Sequence, residues 1–123
     1  MKKVLLIGAT GNIGMRIKSY LCKESLSLYS PLSSEFDLKD RNSIHNYMES
    51  ISVNGTMCFD YIIYCALDKS TLDIEKRNNL IKFIKSNIQF VITTTDIKNI
   101  SSKILDKASI FKIKNGNLQK GKR

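Results

Sequence analysis

Apolar positions run along this chain in two alternating rhythms. Val4 to Ile7 is a short continuous apolar run ending at a glycine, the pattern of a strand buried on both faces of a parallel sheet. Ile13, Ile17, Tyr20 and Leu21 then recur at helical spacing and predict one inward helix face. A shorter strand is predicted at Leu26 to Tyr29, followed by Pro31, a Ser-rich loop and the segment Glu35-Phe36-Asp37. Asp40 is placed to cap a second helix, whose Ile44, Tyr47, Met48 and Ile51 follow the i, i+3, i+4, i+7 pattern.

The rhythm then repeats. Phe59-Asp60-Tyr61-Ile62-Ile63-Tyr64-Cys65-Ala66 predicts a buried strand, and Ser70 with Asp73 resembles a capping box opening a helix with Ile74, Ile81 and Ile84 inward. Another strand is predicted at Ile88 to Thr95. Asp96 is placed to cap a helix carrying Ile97, Ile100, Ile104 and Leu105. Ser109 to Leu118 alternates apolar and basic residues around Asn115-Gly116, which predicts an edge hairpin. Strands alternating with helices imply right-handed crossovers and an α/β fold, its mostly parallel sheet covered on both faces and followed by a C-terminal hairpin.

Composition narrows the class. A chain of 123 residues with 42% hydrophobic and 25% charged residues is expected to form one globular domain. It has no apolar run of the roughly 20 residues a membrane helix needs, and Val4 to Ile7 is too short for a signal peptide's apolar region. The expectation is a soluble, cytoplasmic protein with no membrane contact. Cys22, Cys58 and Cys65 are odd in number and form no C-x-x-C pair, so they are expected to be reduced and buried rather than disulfide or zinc ligands. Asp37, Asp40, Asp60 and Asp68 fall on different elements without a metal-ligand spacing.

Charge is unevenly placed. From Lys98 to Arg123 eight basic residues stand against Asp106 alone, which puts +7 of the net +9 in the last part of the chain. That stretch is either a solvated lysine-rich face or a weak, nonspecific contact for nucleic acid. His45 is the only histidine, and it falls on the polar side of the second helix, where the sequence defines no serine or cysteine nucleophile for it.

The clearest chemical motif is Gly8-x-x-Gly11-x-x-Gly14, lying between a predicted strand and a predicted helix. The first glycine allows a tight turn, the second lets backbone approach a pyrophosphate, and the third permits close helix-to-strand packing. The helix N-terminus offers unpaired N–H groups and the positive end of its dipole, so phosphate is the expected ligand group. A lysine-type phosphate loop is not formed, because Met15 and Arg16 stand where Lys and Ser or Thr are needed. The competing interpretation is a glycine turn that serves chain geometry alone, in a structural domain without a ligand. Cys65 ends a strand beside this crevice, and Thr93, Thr94 and Thr95 end the next one.

On these residues, Met1 to about Ala66 resembles the extended short-chain dehydrogenase/reductase family, the NAD-dependent epimerases and sugar-nucleotide reductases. The likeness is carried by Gly8-Ala9-Thr10-Gly11-Asn12-Ile13-Gly14, by Phe36-Asp37-Leu38-Lys39-Asp40 and by the Phe59 to Ala66 strand. It implies a Rossmann-like three-layer fold and binding of NAD or NADP. Cofactor contacts are implied at Gly8, Thr10, Gly11, Asn12, Ile13 and Gly14, an adenine contact at Asp37, and close approach of Cys65 and Ala66. No Tyr-x-x-x-Lys occurs anywhere, so the family's catalytic pair is missing, and no acidic residue stands near Ser30 to select between the two cofactors.

Residues 67–117 resemble a different family, the carboxy-terminal end of the RecF recombination-repair ATPases, through the stretches Ser70 to Ile100 and Ala108 to Leu118. Asp73 matches that family's loop aspartate. Ala66 and Leu67 stand where its magnesium-holding acidic pair is expected, and no phosphate-binding lysine loop precedes them. The resulting expectation is one α/β domain over 1–123, with a dinucleotide-binding half at 1–66, a RecF-like half at 67–117 and a basic tail at 118–123. It binds NAD or NADP without a catalytic residue. The alternatives are a RecF-like ATPase fragment or DNA-binding module, with ATP as its nucleotide, and a ligand-free structural domain.

Overall fold

The computed structural model describes residues 1–8, 12–32, 34–37, 39–51, 59–65, 88–94 and 97–121. The predicted helix opened by Ser70, together with Thr10, Gly11, Cys58, Ala66, Asp68, Asp73, Thr95, Asp96, Lys122 and Arg123, lies outside the described residues. The chain order is β1 (Lys2–Ile7), α1 (Asn12–Leu21), β2 (Leu26–Tyr29), α2 (Arg41–Ile51), β3 (Tyr61–Cys65), β4 (Gln89–Thr93), a 3-10 turn at Ile97–Asn99, α3 (Ser102–Leu105), β5 (Phe111–Lys114) and β6 (Asn117–Lys120). The first four strands form one parallel sheet in the order β2-β1-β3-β4. This is the α/β architecture with a mostly parallel sheet that the alternating pattern predicts.

Two apolar clusters lie on opposite faces of the sheet, because successive side chains of a strand point opposite ways. Leu5, Ile62 and Tyr64 join Phe36, Ile44, Met48, Phe59, Ile100 and Ile104 in the larger cluster. Leu6 and Cys65 form the smaller one, with Ile17, Leu28 and Ile63 packed against it. Asp60 fixes where β3 starts. Its carboxylate accepts the Lys3 N–H at 2.8 Å, and its own N–H donates to the Lys3 carbonyl at 2.9 Å. Its carbonyl accepts the Gln89 N–H at 3.3 Å, so one residue ties the starts of β1, β3 and β4.

α2 matches its sequence signals closely. The Asp40 carboxylate accepts the Asn42 N–H at 3.0 Å as an N-cap, Ile44 and Met48 are buried, and Tyr47 packs edge-on to Phe36 with ring centroids 5.4 Å apart. In α1 the inward face differs from the one predicted. Gly14 is buried, Ile17 and Leu21 are half-buried, and Tyr20 is 67% exposed. The inward side of the helix is therefore Gly14, Ile17 and Leu21, with Ile17 packed against Leu6 and Cys65 of the sheet.

Two further expectations change. The helix predicted after Asp96 is broken into the 3-10 turn and α3, with Ser101 extended between them at φ −63° and ψ 147°. The consecutive Ser101 and Ser102, which favour caps over helix interiors, stand at that break. The hairpin does not extend an edge of the parallel sheet. Among the described residues β5 and β6 pair only with each other, in a two-stranded sheet of their own. Lys112 and Lys114 alternate along β5 and resist burial of that face, as lysines on exposed strands do. Its turn residues Asn115 (φ 52°) and Gly116 (φ 78°) both have positive φ, the geometry that matches the strands' right-handed twist.

Packing on the two sheets predicts different sensitivities. Ile44→Ala, fully buried, should lower unfolding free energy by about 2–5 kcal/mol in urea denaturation. Ile113→Ala, 78% exposed, should stay within about 0.5 kcal/mol of the parent, and an equal loss at both sites would show that the hairpin is packed. Tyr47 adds a pH dependence. Burial first, then the Glu35 carboxylate and Tyr29, push its hydroxyl up to about 12. The unfolded chain releases that proton at lower pH, so stability falls as pH rises from about 10 toward 12. Tyr47→Phe should flatten this alkaline decline, and an unchanged pH profile would contradict it.

Candidate functional site at the carboxyl ends of the strands

The chain leaves β1 for β2 on one side and returns past it to β3 on the other, so the strand order reverses between β1 and β3. Open parallel sheets form a ligand crevice outside the carboxyl ends of the strands at such a point. β1 ends at Ile7, whose register partner is Tyr64 in β3, and Gly8 and Cys65 are the next residues on each strand. β4 ends at Thr93, paired with Cys65.

Gly8 has φ +88°, a conformation that side-chain-bearing residues rarely adopt. A Cβ built on it would collide with the Cys65 carbonyl oxygen and lie 3.2 Å from the Cys65 Cβ. Glycine is required here twice over, by its own dihedral angle and by the neighbouring strand. α1 begins at Asn12, with Asn12 and Ile13 exposed in its first turn and Gly14 buried. That first turn contains no acidic residue, so no carboxylate of the helix itself neutralises its positive end.

The expected site residues therefore divide. Gly8 and Cys65 are brought together, Asn12, Ile13 and Gly14 occupy the start of α1, and Thr10, Gly11 and Ala66 lie outside the described residues. Asp37 is exposed and engaged locally. Its carboxylate accepts the Lys39 N–H at 2.9 Å, its carbonyl accepts the Asp40 N–H at 3.0 Å, and its own N–H donates to Ser43 Oγ at 2.9 Å. Ser43 Oγ in turn donates to the Glu35 carbonyl at 3.1 Å. These bonds hold the loop that seats Phe36 in the core.

Cys65 is 3% exposed. Burial pushes its thiol above the ordinary value, and a hydrogen bond from the Thr93 hydroxyl opposes that shift. A protonated, buried sulfur is a weak nucleophile. Thr93 as its partner was missed by sequence reasoning, since only the register of β3 and β4 juxtaposes residues so distant along the chain. Cys22, expected to be buried, is exposed, because it lies immediately beyond the last residue of α1. His45 is also exposed and stands 3.0 Å from Glu49 Oε1, one helical turn away. Among the described residues no group of three or more His, Cys, Asp or Glu is placed to hold a metal ion, and no helix is long and apolar enough to cross a membrane.

Gly8→Ala should destabilise the fold by about 1–3 kcal/mol through the disfavoured dihedral and the clash with β3. A melting curve superimposable on the parent's would contradict the required close approach. Iodoacetamide at neutral pH should label Cys22 well before Cys65, as followed by peptide mass spectrometry, and Cys65 labelling should rise at alkaline pH. Prompt labelling of Cys65 at neutral pH would identify a reactive thiolate instead.

No protein-family profile matches the chain, and none of the curated proteins does. Among solved structures, the protein lin1944 from Listeria innocua is similar over 66% of this chain at 25% sequence identity, with a TM-score of 0.44. The match spans 42% of that neighbour's own length.

Proposed function

We propose that this chain is a dinucleotide-binding α/β domain that holds NAD or NADP at the glycine turn and carries out no hydride transfer. The observation that carries the reading is the start of α1. The N-terminus of α1, whose first turn contains no acidic residue, follows Gly8 at the point where the strand order reverses. A pyrophosphate seated there receives backbone N–H groups from the first turn, and the exposed Asn12 side chain stands at its edge. The sequence motif around Gly11 supports the same placement, because absence of a side chain at that position lets backbone come close to phosphate.

Binding without turnover follows from what the chain does not contain. Reduction or epimerisation needs a placed proton donor, and Tyr-x-x-x-Lys is absent. Cys65 is a poor substitute, being buried with its thiol raised, and His45 lies on α2 as an exposed partner of Glu49.

Calorimetric titration with NADH, NADPH and ATP at one salt concentration tests the reading. NADH or NADPH should bind more tightly than ATP, and Gly11→Val should weaken that binding at least tenfold with the circular dichroism spectrum unchanged. An unchanged dissociation constant in Gly11→Val, or tighter binding of ATP, would overturn the assignment. Supplied with reduced cofactor and sugar nucleotides or simple carbonyls, the protein should consume no cofactor. Steady oxidation proportional to protein concentration would contradict the non-catalytic part.

A further inference from the structure

The ribbon made by β5 and β6 has two chemically different faces. Its register pairs Lys112 with Gln119 and Lys114 with Asn117, so these four residues share one face. Phe111, Ile113, Leu118 and Lys120 share the other. All residues of both strands are exposed. No acidic residue occurs from Lys107 to Arg123. Among the described residues, Lys103, Lys107, Lys112, Lys114 and Lys120 form no salt bridge. A polar face of two lysines, a glutamine and an asparagine is thus presented to solvent with no counter-charge paired to it among the described residues.

We propose that the Lys112, Lys114, Asn117 and Gln119 face of this ribbon docks into the major groove of double-stranded B-form DNA. Dimensions fit. Paired strands lie about 4.8 Å apart, and a two-stranded ribbon with its side chains enters a groove roughly 12 Å wide. The major groove of A-form RNA is too narrow to be read in this way. Chemistry fits as well. Lys112 and Lys114 reach the phosphates lining the groove and supply sequence-independent affinity. Asn117 and Gln119 carry amides that both donate and accept, the chemistry suited to base edges.

The geometry favours DNA over an anionic lipid surface. A bilayer would take up Phe111, Ile113 and Leu118, and Lys112 and Lys114 would then point away from the headgroups. DNA in contrast meets those lysines directly. This site is independent of the glycine turn, being built from a separate two-stranded sheet.

Fluorescence anisotropy of the full chain with a labelled DNA duplex, across a salt series, tests the proposal. Affinity should fall steeply with salt. Lys112→Ala/Lys114→Ala should weaken binding at low salt at least tenfold and flatten the slope of log K against log salt by about 2, as expected for two lost phosphate contacts. Gln119→Ala should leave that slope unchanged. An RNA duplex of the same sequence should bind at least tenfold more weakly. Both variants alter exposed side chains, and thermal melts matching the parent's confirm that the fold is intact. No retention of DNA at low salt would overturn the proposal, as would equal binding of the RNA duplex. So would loss of binding in Lys103→Ala/Lys107→Ala but not in Lys112→Ala/Lys114→Ala. Sedimentation with phosphatidylserine-containing vesicles in place of DNA binding would assign the ribbon to lipid and equally sink it.

Discussion

The parallel pairing of β1 with β3 is the constraint on which the rest of this structure depends. It is fastened at both ends. Asp60 exchanges two hydrogen bonds with Lys3 at the amino ends, and at the carboxyl ends Gly8 lies so close to Cys65 that a side chain there would collide with it. Between these points Val4, Leu5, Leu6 and Ile62 are almost wholly removed from water. With β1 and β3 as neighbours, β2 and β4 take the outer places, and the strand order reverses between β1 and β3.

The same constraint accounts for which residues were legible in advance. Val4 to Ile7 and Tyr61 to Cys65 read as strands because both of their faces are covered, which leaves an unbroken apolar run. α2 was readable because cap and stripe agreed, Asp40 with Ile44 and Met48. α1 was misread at Tyr20. An apolar stripe shows periodicity, whereas the buried position of α1 is Gly14, which adds nothing to an apolar count. The predicted helix after Asp96 was misread because helical spacing does not reveal a break at Ser101, and the hairpin's detachment from the parallel sheet depends on partners that no local pattern names.

Of the candidate site, the glycine turn was legible as a motif, and its first member has a role that the motif alone does not describe. Gly8 serves the neighbouring strand as well as the turn, so its identity is set by packing whether or not a ligand binds. Gly14 likewise has a packing role as a buried residue of α1. The case for a phosphate therefore concentrates on Gly11 and on the helix N-terminus, whose lack of an acidic residue is a separate physical fact. Cys65, expected to be buried and reduced, is buried, and burial pushes its thiol up against the opposing hydrogen bond from the Thr93 hydroxyl.

Because packing alone requires Gly8, the central claim turns on whether the start of α1 meets a ligand. Amide chemical-shift mapping by two-dimensional NMR during an NADH titration measures this directly. The account predicts saturable shifts concentrated at Gly8 and Asn12 to Gly14, with the amides of Phe111 to Lys120 unmoved. Saturating NADH that leaves the Gly8 and Asn12 to Gly14 amides in place, or moves only those of the hairpin, would contradict it.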